Sequence, residues 1–161
     1  MPGYFVRGIN FNYWLLDPNR GCHGCEHCRR SNPHFCPKGS FNDAIGIIRN
    51  GGFAPYLVAP SEQVYKVDDD FDMQYLSLVE PLSCIVHGWR ILSKGRDIYH
   101  GTRILIQGAG IIGSLWACLL HHKGYRSVTV SEPTEARRKF IDQLNLGFTT
   151  LSPVDLTGEF G

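Results

Sequence analysis

The sequence predicts an α/β chain with a β-rich N-terminal part, and three observations carry that expectation. Four cysteines crowd into one short segment between Cys22 and Cys36. An apolar run, Ile104 to Ile106, opens directly onto the glycine pattern Gly108-x-Gly110-x-x-Gly113. From there apolar runs of strand length alternate with segments of helical period, the pattern of parallel strands joined by helices. A length of 161 residues suits one ordinary domain or two small ones. Hydrophobic residues at 43% and charged residues at 19% mark a globular chain rather than a disordered one. The formal net charge of +1 argues against nucleic acid as a partner. No apolar run approaches the roughly 18 residues of a membrane span, so no membrane association is expected. Met1 to Arg7 lacks a basic segment leading into an apolar one, so no signal peptide is expected and the cytoplasm is the expected location.

The first element is the cysteine loop, residues 20–38. Cys22, Cys25, Cys28 and Cys36 are spaced C-x2-C-x2-C-x7-C. Disulfide scaffolds spread cysteines along a chain to close loops, whereas this cluster converges on a point. Four thiolates suit a closed, tetrahedral structural zinc site. Arg20, Arg29, Arg30 and Lys38 lie within or beside the loop and could offset its excess negative charge. His23, His27 and His34 share the segment, but four cysteines already fill the shell. A redox pair and an iron–sulfur cluster are the alternatives. The first lacks a thioredoxin-like βαβ frame, and the second expects C-x3-C-P where this chain has C-x7-C-P. Cys84 and Cys118 lie in apolar surroundings and are expected to be buried free thiols.

Between the two motifs, residues 50–60 and Val64 to Val67 carry short β-branched and aromatic runs broken by Gly and Pro, which predicts an irregular β-rich region. Asp68, Asp69 and Asp70 read as a solvated turn. Pro81 suits a first helical turn, and Leu82, Ile85, Val86 and Trp89 fit a helical face after it. Glu80 therefore stands at a helix N-terminus, where it either complements the helix dipole or faces an interdomain cleft.

The glycine pattern lies between a predicted strand and a predicted helix, and the helix ends at Gly124. Leu115, Trp116, Cys118, Leu119 and Leu120 supply its apolar face. A second strand, Ser127 to Val130, leads to Glu132. A second helix is expected over Thr134 to Asn145, with Ala136, Phe140, Ile141 and Leu144 on one face, and a third strand near Phe148 to Leu151. This is the dinucleotide fingerprint in its required context. Gly108 permits the tight turn, Gly110 lets backbone approach the pyrophosphate, and Gly113 lets the helix pack close to the strand. Ile111 and Ile112 lie at the helix N-terminus, whose N–H groups face the phosphates. Glu132 would accept hydrogen bonds from ribose hydroxyls and repel a 2′-phosphate, which favours NAD over NADP. Arg137 and Arg138 could accommodate that phosphate, so the preference stays open.

The four-cysteine loop, the stretch Gly51-Gly52-Phe53-Ala54, the element Glu80-Pro81-Leu82-Ser83 and the Gly108-to-Glu132 fingerprint occur together and in this order. The combination resembles the zinc-containing alcohol dehydrogenases of the medium-chain dehydrogenase/reductase superfamily, in particular their polyol, butanediol and threonine branch. The resemblance covers about residues 17–150. It implies a partial GroES-like barrel over residues 1–79, carrying the zinc loop, followed by the first half of a Rossmann fold over residues 80–161. It implies zinc and NAD as cofactors, a small-molecule alcohol or polyol substrate, and oxidation of a secondary alcohol to a ketone by hydride transfer. It matches Cys22, Cys25, Cys28 and Cys36 to the structural zinc ligands and Glu80 to the acidic residue beside a catalytic zinc. It matches Gly108, Gly110, Gly113, Glu132 and Arg137 to cofactor contacts, and it admits a homo-oligomer. The family also places a catalytic cysteine and a His-Glu pair upstream of the zinc loop. The residues before Cys22 contain neither Cys nor His. His87, His100, His121 and His122 match no ligand position and are expected to be structural or surface residues. The expectation is therefore a fragment, with an incomplete catalytic zinc site and no activity alone. The alternative is a non-catalytic zinc- and adenosine-nucleotide-binding fragment that acts through a partner.

Overall fold

A computed structural model describes residues 13–95 and 97–158. The first twelve of the residues before Cys22 lie outside the described residues. The chain divides into two compact units, Met1–Phe71 and Asp72–Gly161.

In the first unit, strand β1 (Trp14–Leu16) pairs antiparallel with β2 (Val64–Lys66), Trp14 opposite Lys66 and Leu16 opposite Val64. Buried Gln63 fastens the end of this ribbon. Its Nε2 donates to the Asp17 carbonyl at 2.7 Å, and its own carbonyl accepts the Asp17 N–H at 2.8 Å. Between the two strands the described chain runs through helix α1 (Glu26–Arg29), short 3₁₀ turns and one isolated bridge, Ile45 to Arg49. Residues 50–60 form bends rather than strand. Gly51, Gly52, Pro55 and Pro60 supply neither the packing side chains nor, for the prolines, the N–H that a ladder needs. Asp68 to Asp70 are exposed in a turn closed by the Phe71 N–H on the Asp68 carbonyl at 3.0 Å.

The second unit begins with a 3₁₀ turn whose Gln74 N–H is accepted by the Asp72 carboxylate, and continues into α2 (Val79–Ser93). Then follow β3 (Ile104–Gln107), α3 (Ile111–His122), β4 (Val128–Ser131), α4 (Glu135–Gln143) and β5 (Thr149–Leu151). The three strands form one parallel sheet in the order β3-β4-β5. Parallel neighbours require a crossover, and α3 and α4 supply the two crossovers. Ile106, Val128 and Val130 from the sheet pack with Ala117, Leu120 and Ile141 from the helices. α2 lies on α3 where Gly88 meets the Trp116 ring; a Cβ on Gly88 would stand 3.1 Å from Trp116 Cζ2. The sheet order is that of one half of a doubly wound fold.

The buried stripes differ in detail from those expected. On α2, Ile85 is buried and Trp89 is partly covered, but Leu82 and Val86 are 38% and 41% exposed. Gly88, without a side chain, makes room for the Trp116 ring of α3. On α4, Ile141 is buried while Ala136 and Phe140 are exposed. Cys84 and Cys118 are exposed thiols, not buried ones. Cys118 lies on the same row of α3 as exposed Ile111 and His122, which no described element covers. Cys84 shares a row of α2 with exposed Glu80, His87 and Ile91.

Candidate functional site: a thiolate cage and a glycine turn

The thiolate cage is assembled from local turns. Cys25 is the N-cap of α1 and Cys28 lies three residues on, so one short helix aims both sulfurs the same way, 3.4 Å apart. Cys36 follows the 3₁₀ turn Pro33–Phe35, and its Sγ stands 3.8 Å from that of Cys25. The Cys22 N–H donates to Cys36 Sγ at 3.3 Å. All four sulfurs lie within 4.8 Å of one another. A tetrahedron with zinc–sulfur bonds of about 2.3 Å has edges of about 3.8 Å, so the donor set fits a four-coordinate zinc ion. Sequence reading missed Gly21. A Cβ there would stand 2.5 Å from Cys28 Sγ, so the absent side chain is what admits the third sulfur.

Backbone N–H groups, rather than the basic side chains anticipated, polarise the cage. Arg20 pairs with Asp43 at 3.6 Å and Arg30 with Glu26 at 2.7 Å. The N–H groups of Gly24 and Cys25 lower the Cys22 thiol to about 6. Burial raises Cys36, but the N–H groups of Cys22 and Lys38 outweigh it and leave that thiol below its ordinary value. Burial, then the neighbouring Cys25, pushes Cys28 up to about 11. His23, His27 and His34 do not join the sulfur cluster; His27 and His34 face the Phe35 ring at 6.0 and 4.3 Å.

The glycine turn lies in the second unit. Gly108 has φ +93°, and its N–H donates to the Ser131 carbonyl at 2.7 Å. A Cβ on Gly113 would collide with the Gly108 carbonyl oxygen, so the first turn of α3 can lie against the glycine turn only with glycine there. Gly110 is the N-cap of α3, in extended conformation, and no side chain caps that helix end. The Ile111 and Ile112 side chains are exposed. A groove of about 900 Å³ runs from Trp89 and Ile98 along β3 to Gly110, Ile111 and Ile112.

Glu132 does not project from the end of β4. It is 2% exposed. Its Oε2 accepts the Ala109 N–H at 2.7 Å and its Oε1 the Thr134 N–H at 2.8 Å. These two backbone donors, the Ala109 one foremost, hold its carboxyl below the usual carboxylate range. Arg137 reaches within 3.9 Å of Oε2 and is largely exposed, while Arg138 Nη1 donates to the Glu132 and Pro133 carbonyls at 2.6 and 2.8 Å. Glu80 lies in the first turn of α2, exposed, and accepts a long contact from Cys84 Sγ at 3.8 Å. Among the remaining histidines, His121 Nδ1 lies 3.0 Å from the Leu146 carbonyl and the His100 ring stacks on Tyr125 at 5.1 Å.

The chain is similar to proteins of known kind. Over 132 residues the chain is 32% identical to D-altritol 5-dehydrogenase of Agrobacterium fabrum, a match covering 82% of this chain and 38% of that protein. It is 34% identical over 136 residues to L-threonine 3-dehydrogenase of Shewanella oneidensis, covering 84% and 38%. A crystal structure from Sinorhizobium meliloti, described as a zinc-binding dehydrogenase bound to NADP, matches with a TM-score of 0.75 and 30% identity, covering 93% of this chain and 42% of that one. These matches support a relationship to the zinc-containing alcohol dehydrogenases. Galactitol-1-phosphate dehydrogenase of Escherichia coli, 23% identical with a TM-score of 0.74, has the same fold over 95% of this chain and 44% of its own. The chain spans about two fifths of the length of the proteins it matches. No family model matches it. Among the described residues no helix is long and apolar enough to cross a membrane.

Proposed function

We propose that the chain carries the structural zinc loop and the adenosine half of the cofactor site of an NAD-linked alcohol or polyol dehydrogenase. Cys22, Cys25, Cys28 and Cys36 hold the zinc, and their mutual spacing supports that assignment. The observation that carries the nucleotide reading is the uncapped N-terminus of α3 beside the glycine turn. Gly108, Gly110 and Gly113 bring backbone to the pyrophosphate, and Ile111 and Ile112 contribute N–H groups at the helix end. Glu132 lies buried under the adenosine ribose subsite, where its negative charge disfavours a 2′-phosphate, with Arg137 at the rim. The bound dinucleotide would supply the hydride acceptor for oxidation of a secondary alcohol. Glu80 would stand beside a catalytic zinc. Among the described residues the four cysteines are the only group of three or more metal-ligating side chains gathered in one place. Zinc catalysis needs several ligands and an open position, so the chain alone does not turn over substrate. A cytoplasmic location and a homo-oligomer belong to the same reading.

Titration of the purified chain with NAD and NADP, with zinc content and alcohol oxidation followed in parallel, tests this. One zinc per chain, NAD binding stronger than NADP and no oxidation are expected. Steady oxidation of sorbitol or butanediol would overturn the inactive assignment, and tighter NADP binding would overturn the cofactor preference.

A further inference from the structure

We propose that Glu132 is a positioning residue for the glycine turn, acting through the Ala109 backbone, and does not serve only as a ribose contact. The inference rests on the nucleotide reading above. β3 and β4 pair in register to Gln107 opposite Ser131, so the next residues of each strand, Gly108 and Glu132, leave the sheet side by side. The turn is then tied back to β4 twice. The Gly108 N–H binds the Ser131 carbonyl, and the Ala109 N–H binds the Glu132 carboxylate at 2.7 Å. The other carboxylate oxygen holds the Thr134 N–H, at the N-cap of α4. The Glu132 N–H meanwhile donates to the Leu151 carbonyl of β5 at 3.0 Å. One residue thus joins the turn, the start of α4 and the third strand.

A buried carboxylate persists only where its oxygens find donors, and here both do. The gain is at Ala109. Flanked by two glycines, its peptide group would otherwise sample many orientations, each an entropy to be lost when a phosphate docks. The carboxylate fixes that peptide beforehand. Glutamine in the same place keeps only one acceptor oxygen and turns an NH2 group toward one of the two N–H donors.

The test separates this role from direct ribose contact. The affinities of ADP and of 2′,3′-dideoxy-ADP, which lacks the ribose hydroxyls, are measured by calorimetry on the unaltered chain, on Glu132→Gln and on Glu132→Asp. Dideoxy-ADP is expected to bind Glu132→Gln about tenfold more weakly than the unaltered chain, the loss of one charge-assisted hydrogen bond. The aspartate variant is expected to recover part of that loss. Dideoxy-ADP affinity equal in all three proteins, with only ADP weakened, would overturn the inference and leave the nucleotide reading standing. No ADP binding by the unaltered chain would overturn both. A variant-free check guards against misfolding: in acid titration of the unaltered chain by NMR, the Ala109 and Thr134 amide signals are expected to move together. Their independence from each other and from the carboxylate would overturn the inference.

Discussion

At the scale of single residues, acid sensitivity has a definite sign. The Glu132 carboxyl is held below its ordinary value, near 4.5, by the Ala109 N–H and then the Thr134 N–H. A group whose folded value is depressed stabilises the fold fully above its unfolded value, and the contribution is lost as pH falls through the lowered folded value. The second unit is therefore expected to weaken on acidification below about pH 4.5. Glu132→Gln is expected to flatten that limb of the curve while lowering stability at neutral pH. Urea unfolding across the range checks it, and parallel acid limbs for the two proteins would count against the paired carboxylate. The sequence made Glu132 conspicuous by its distance from the glycines. It could not show that the side chain folds inward, because that depends on the register that sets Gly108 beside it. Gly21 was missed for a related reason: its importance lies in the sulfur of Cys28, which only the folded loop brings near.

At the scale of elements, the glycine turn, the three parallel strands and the helices between them were legible because each is announced by contiguous residues. Ile104 to Ile106, Gly124 and the run before Glu132 need only their neighbours to be read. The faces of the helices were less legible. Periodicity places Leu82, Ile85, Val86 and Trp89 on one broad side of α2, but the choice of stripe follows from the partner. Gly88 makes room for the Trp116 ring of α3, while Leu82 and Val86 stay exposed. Cys118 illustrates the same limit, since an apolar stretch does not tell which row faces away. Gly88→Val is accordingly expected to force Trp116 aside and to destabilise the second unit by about 1–3 kcal/mol, the usual range for overpacking. Thermal unfolding followed by tryptophan fluorescence reads both effects, and an unchanged midpoint would refute Gly88 and Trp116 as a tight contact.

At the scale of the whole molecule, the two units differ in what holds them. The second has an apolar core built on Val130, Ile141 and Leu120. The first offers a three-residue ribbon, and its sulfurs gather around a point that a metal ion would occupy. Because structural zinc affinity is folding free energy, chelation or Cys25→Ser is expected to release the metal and loosen residues 13–71. The amides of β3, β4 and β5 are expected to stay protected in hydrogen exchange. Equal loss of protection in both units would show that they unfold as one. The parallel sheet has a further consequence, in the order of assembly during synthesis. Ile104 must wait for Val128, and Thr129 for Thr149, before either pair can form. Cys22 and Cys36 close a somewhat shorter loop, and it precedes both strand pairs in the sequence. Residues 22–36 leave the ribosome before β3, β4 and β5 do, so zinc supply is expected to act on the first unit before the sheet can pair.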